Sequence, residues 1–115
     1  YILRTTGENT PLADVRVRRA INLAVDREEV VALLGGMAAP AQGMVLPDSP
    51  WFGKPSFRIR HDPAEARRLL AEAGYDPGNP LRIRFLISAS GSGQMQPLPM
   101  NELVQQHMRA VGIEL

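Results

Sequence analysis

The sequence predicts an α/β fold with the element order β-α-α-α-β-α-β. Three observations carry that expectation. Capped, helically spaced apolar patterns recur along the chain, at 14–25, 26–36, 62–74 and 98–111. Residues 81–88 alternate as a strand does. The last third reads strand, helix, strand, which is a parallel crossover unit and by rule a right-handed one.

Taken in order, Tyr1 to Thr5 is short, aromatic and β-branched, which suits a strand, and Gly7 to Pro11 is a turn. Asp14 can cap a helix whose apolar positions are Val17, Ala20, Ile21, Ala24 and Val25. Asp26 with Glu29 three residues on resembles a capping box and starts a second helix that ends at Gly35-Gly36. A single helix bent at Asp26 is the alternative. Residues 37–61 hold Pro40, Pro47, Pro50 and Pro55 with Gly43 and Gly53, a long irregular segment that Trp51 and Phe52 are expected to pin by burial.

The next signal is stronger. Asp62 caps, Pro63 takes the first helical position, Glu65 the third, and Gly74 ends a helix with the stripe Ala66, Leu69, Leu70 and Ala73. Asp76 to Pro80 is turn chemistry. Leu81, Ile83, Phe85 and Ile87 then share one face of a strand, with Arg82 and Arg84 on the other until Leu86 replaces them. A Ser/Gly loop at 88–96 leads to a helix from about Leu98 to Val111, with Met100, Leu103, Val104, Met108 and Val111 inward and Gly112 as its cap. Ile113 to Leu115 enters another strand.

Composition narrows the class. The chain has 115 residues, 44% apolar and 22% charged, which suits one modest globular unit rather than a disordered chain. Thirteen basic and twelve acidic residues leave a net charge of +1, which disfavours nucleic-acid binding by charge. Twelve of the thirteen basic residues are arginine, favouring bidentate pairs with Asp14, Glu28, Glu65 and Glu72 over diffuse charge. No cysteine is present, which removes disulfides, thiolate zinc sites and cysteine nucleophiles. The longest apolar run, 30–41, is broken by Gly35, Gly36 and Pro40 and is too short to span a bilayer. An opening at Tyr1 and a last segment that enters a strand suggest an excised piece of a longer protein.

Catalysis finds no motif. His61 and His107 fall on different elements without metal-ligand spacing, and read as a residue beside the Asp62 cap and a helix-flank residue. Glu28, Glu29 and Glu65 complement helix dipoles. No Gly-x-Ser-x-Gly elbow occurs. The expectation is therefore no enzyme, no catalytic residue, no metal and no cofactor. The feature left is the loop from Ser88 to Gln94, which follows a strand's carboxyl end, where open α/β sheets bind ligands. Its glycines lack phosphate-cradle spacing, no lysine follows, and Pro97 and Pro99 remove backbone donors. It reads either as a solvent loop or as a polar loop offering Ser88, Ser90, Ser92 and Gln94 to a solute.

Three stretches together resemble family 5 extracellular solute-binding proteins of ABC importers. They are Pro11-Leu12-Ala13-Asp14-Val15-Arg16-Val17-Arg18-Arg19-Ala20-Ile21-Asn22 running to Asp26-Arg27, then Asp62-Pro63-Ala64-Glu65-Ala66-Arg67 with Leu69 to Tyr75, then the strand at 81–88 with its Ser/Gly loop and Asn101 to Ile113. The resemblance spans nearly the whole chain. It implies a type II periplasmic binding protein fold, of which residues 1–115 form a fragment of one lobe that starts near the hinge crossover strand. At Arg4-Thr5-Thr6 the sequence departs from relatives, which often carry an asparagine there. The implied function is capture of a small solute, a peptide first among nickel chelates, opines and oligosaccharides. Delivery would be to the transmembrane subunits of an ABC permease, with no nucleic-acid partner. The implied location is periplasmic or extracellular, and a lipoprotein anchor is compatible with it. On this reading the 88–94 loop reaches the cleft and Pro47 to Phe52 borders it. The rival expectations are a fragment of an α/β enzyme using the same loop, and a small protein-interaction module using the Trp51 loop.

Overall fold

The structure is a computed structural model that describes residues 10–89 and 96–115. A one-turn 3₁₀ segment, Pro11–Ala13, leads into α1 (Val15–Ala24), α2 (Arg27–Leu33) and α3 (Pro63–Glu72). Strand β1 (Leu81–Arg82), α4 (Pro97–Ala110) and β2 (Ile113–Glu114) follow. The first expected strand, Tyr1 to Thr5, lies outside the described residues, so the seven-element order stands only from the first helix onward.

α1, α2 and α3 each start at the cap the sequence announces, whereas α4 starts at Gln96 with no side-chain cap bond. Asp14 accepts from the Arg16 amide, Asp26 from the amides of Glu28 and Glu29, and Asp62 from the Glu65 amide. These bonds satisfy N–H groups that a helix cannot satisfy internally. The chain breaks between α1 and α2, because Val25 and Asp26 are both extended. Half-buried Arg27 fastens the break, donating from Nη1 to the carbonyls of Asn22 at 3.0 Å and Val25 at 3.2 Å. At its far end α2 closes with a Schellman turn: the Gly35 amide donates to Ala32 and the Gly36 amide to Val31, both at 3.0 Å. Both glycines have φ near +70°, a region costly for any residue with a Cβ.

One apolar cluster holds the elements together. Val17, Ala20, Leu23 and Ala24 of α1 meet Ala66, Leu69 and Leu70 of α3, joined by Leu81, Val104, Met108, Val111 and Ile113. The α1 stripe turns slightly from expectation: Leu23 is 1% exposed, whereas Ile21 and Val25 are only half-buried at the cluster's margin. Two arginines cross between helices to carbonyls that helix ends leave unpaired. Arg16 of α1 donates to Glu72 O at the end of α3 (2.6 Å), and Arg67 of α3 donates to Ala110 O at the end of α4 (3.2 Å). The expected ion pairs form at Asp14 with Arg16 and at Glu65 and Glu72 with Arg68. Glu28 takes none among the described residues.

The strands pair in parallel, Leu81 with Ile113 and Arg82 with Glu114, so α4 is the crossover the sequence predicts. The strand expected over 81–88 is correct in place and too long. Its ladder continues for one more bond, from the Ile83 amide to Glu114 O at 2.9 Å, and the strand itself ends at Arg82. A strand persists only where a neighbour supplies donors and acceptors. Beyond that point Leu86 is exposed rather than buried, at 95%.

The pinning of residues 37–61 also needs correction. Trp51 is 86% exposed, and Phe52 is half-buried against Gly43, where an added Cβ would meet its ring at 3.4 Å. The residue that ties the segment to the core is Phe57, which packs against the apolar cluster and lies 5.6 Å from the Arg19 guanidinium carbon. Among the described residues, no helix is long and apolar enough to cross a membrane.

Truncation of the cluster's centre should be felt throughout. Leu23→Ala in the intact protein is expected to cost about 2–5 kcal/mol, the usual range for a fully buried leucine. Urea denaturation followed by circular dichroism measures it, and a loss below about 1 kcal/mol would mean that α1 is not the anchor of this core.

Candidate functional site

Of the four residues that the sequence singles out, Ser88 alone is described. It is exposed on the chain leaving the carboxyl end of β1, ahead of α4. Ser90, Ser92 and Gln94 lie outside the described residues. Their position between a parallel strand and its crossover helix still follows from the elements on either side. The topology is the one that places loops at the ligand-facing edge of an α/β sheet.

The segment from Ala39 to Ser49 encloses a hollow of about 500 Å³ lined by Pro40, Gly43, Met44, Leu46 and Pro47 among others. No charged side chain lines it. The amide of Ser49 donates to Leu46 O at 2.9 Å and that of Phe52 to Ser49 O at 3.0 Å, so this stretch is a chain of turns. Met37, Met44, Leu46 and Trp51 all stand exposed along it. A second hollow, about 420 Å³, opens between α2 and α4 and is lined by Leu33, Pro99 and Leu103 together with Glu29 and Glu102. Ser88 lines neither hollow.

One constellation was invisible in the linear spacing. His61 and His107 come together with ring centroids 6.2 Å apart. His61 Nδ1 is 3.1 Å from Asp26 Oδ2, and His107 Nε2 is 2.7 Å from Glu29 Oε2. The Asp26 amide donates to His107 Nδ1 at 3.4 Å. Cap acceptance from the Glu29 amide holds the Asp26 carboxyl below the usual carboxylate range, and the neighbouring imidazoles pull the same way. Among the described residues, no group of three His, Cys, Asp or Glu is placed to hold a metal ion.

The described residues form a parallel β-α-β unit flanked by further helices, the α/β class of architecture. Comparison makes the class specific. The family described as bacterial extracellular solute-binding proteins, family 5 Middle, matches residues 1–115. The chain belongs to that family, which is one of solute-binding transport proteins and not of enzymes. It is 39% identical to the probable deoxycholate-binding periplasmic protein YgiS of Escherichia coli over 68% of this chain and 16% of that protein. It is 32% identical to heme-binding protein A of Haemophilus influenzae over 99% of this chain and 21% of the relative. The periplasmic oligopeptide-binding protein OppA of E. coli is 36% identical over 78% of this chain and 18% of its own length. The chain therefore spans about a fifth or less of the curated relatives it matches. Among solved structures, NikA from Staphylococcus aureus in complex with Ni(L-His)2 superposes with a TM-score of 0.69 at 24% identity, covering 86% of this chain and 21% of NikA. At that identity the likeness establishes the fold.

The depressed Asp26 carboxyl fixes the sign of one pH effect. A group whose folded-state pKa lies below its unfolded value, near 4 for an aspartate, adds stability above that value and loses it as pH falls through the folded pKa. Asp26→Asn keeps a cap acceptor and removes the titration. The urea midpoint of the intact wild-type protein should therefore fall more steeply below about pH 4 than that of the variant. Parallel curves would remove Asp26 from the acid response.

Proposed function

We propose that this chain is an internal part of one lobe of the solute-binding subunit of an ABC importer. That subunit captures a small solute, a peptide first, and presents it to the transmembrane permease subunits. The observation that carries the reading is the family match over the whole of residues 1–115, with an open parallel sheet of the expected connectivity beside it. The relatives whose names give oligopeptide and heme as ligands share the chain's segment, and a periplasmic or extracellular location is supported by the name of OppA and the description of the family.

In such a subunit the solute touches both lobes and stabilises the closed arrangement over the open one, so capture is a shift between two populated shapes. The loop 88–94 supplies hydroxyl, amide and backbone groups from the carboxyl edge of the sheet. The Pro47 to Phe52 stretch borders the same cleft with apolar surface. A second reading, a protein-interaction module, draws support from the exposed Trp51 and its neighbours Met44 and Leu46.

Native mass spectrometry of the intact protein, purified without refolding, separates these readings. A peptide, sugar or chelate that leaves on denaturation supports capture. A polypeptide partner of fixed stoichiometry supports the module, and turnover of added compounds would overturn both. For the loop, Ser90→Ala with Gln94→Ala is expected to weaken solute affinity by roughly tenfold, the loss of one or two hydrogen bonds. Unchanged affinity by calorimetry would take the loop out of the site.

A further inference from the structure

α2 has no buried residue of its own; its cap Leu34 is the nearest one to the core. A seven-residue helix held by half-buried Val30 and Val31 and the buried cap Leu34 needs a further contact to fix its direction. The polar link to α4 supplies it. The Asp26 amide, at the start of α2, points at His107 Nδ1, and Glu29, one turn on, meets Nε2 of the same ring. A ring nitrogen that accepts from an amide carries no proton, so the other nitrogen must carry it and donate to the carboxylate.

We propose that His107 is the positioning residue of α2: held as the Nε2–H tautomer, its ring is a two-ended clip that opens at the Asp26 end when a second proton arrives. An imidazolium has a donor on both nitrogens, and at Nδ1 that donor faces another donor. The Glu29 end survives the change and gains a charge. The first turn of α2 is then tethered at one point in place of two.

Among the described residues, the charged and titratable groups that face the ring come from α2 with its cap and from the segment ahead of α3. α2 and its cap present Glu29 and Asp26, and the segment ahead of α3 presents His61, itself on Asp26 Oδ2. Asp62 lies beside His61 and is paired with Arg60 at 3.2 Å. The amide bond to Nδ1 is the contact that uptake by His107 must break. Because α2 leads directly into residues 37–52, the clip also sets where that exposed segment begins.

The test uses the intact protein labelled with ¹⁵N-histidine. Long-range ¹H–¹⁵N spectra between about pH 8 and pH 5 report each ring's tautomer and charge across the range in which imidazoles titrate. The His107 signals are assigned as those missing from His107→Gln and retained in His61→Asn. An Nε2–H pattern at the upper end, with at least a fivefold fall in the Asp26 amide's exchange protection factor once that ring has become imidazolium, is the expected result. His107→Gln offers a carbonyl acceptor and an amide donor that titrate nowhere, and should keep the protection constant with pH. An Nδ1–H tautomer overturns the clip. A ring that stays neutral throughout, or protection that ignores its charge, overturns its opening.

Discussion

The contact between α1 and α3 is the constraint on which the other elements depend. Each helix brings a fully buried alanine to the shared cluster, Ala20 and Ala66, and small side chains let helix backbones approach while Val17, Leu23 and Leu70 fill the space alongside. Burial of leucine- and valine-sized groups contributes roughly 1.5–3 kcal/mol each before the entropy of ordering is subtracted. The chain ahead of α3 is drawn in by the same pairing, since the Asp62 amide donates to Leu23 O at 2.9 Å. α4 and both strands lie against this pair, and Arg16 and Arg67 tie the ends of α3 and α4 to their neighbours.

Local chemistry made the helices readable. A short acidic acceptor before an apolar stripe, and a glycine after it, are fixed by the backbone's own unsatisfied groups, so α1, α2 and α3 begin and end where Asp14, Asp26, Asp62, Gly35 and Gly74 place them. The strand over 81–88 was legible as a pattern and not as a length, because pairing belongs to two segments and the alternation of one does not state how far it is paired. Trp51 misled for a different reason. Size makes a tryptophan a natural anchor, yet burial requires a surface to receive it, and Phe57 is the ring that finds one beside Arg19.

The histidine cluster marks the other limit. Asp26 and His107 stand 81 positions apart, and no periodicity links residues so distant. Their meeting is a product of the crossover: α4 can lay His107 against the start of α2 only because the parallel pairing of Leu81 with Ile113 sends it back along the sheet. Residues 90–94, the greater part of the proposed polar loop, lie outside the described residues, and only their place in the sequence between β1 and α4 is given.

The exposed stretch between α2 and Phe57 has a chemical side as well as a geometric one. Met37 is 81% exposed and Met44 fully so, while Met108 is closed inside the core at 3%. Thioethers are oxidised where reagents can reach them, and the sulfoxide is polar and chiral where the parent was apolar and pliable. Oxidant would therefore change the surface of this segment while leaving Met108 and its packing intact. The same chain carries a core indifferent to its redox surroundings and a rim whose polarity those surroundings can rewrite.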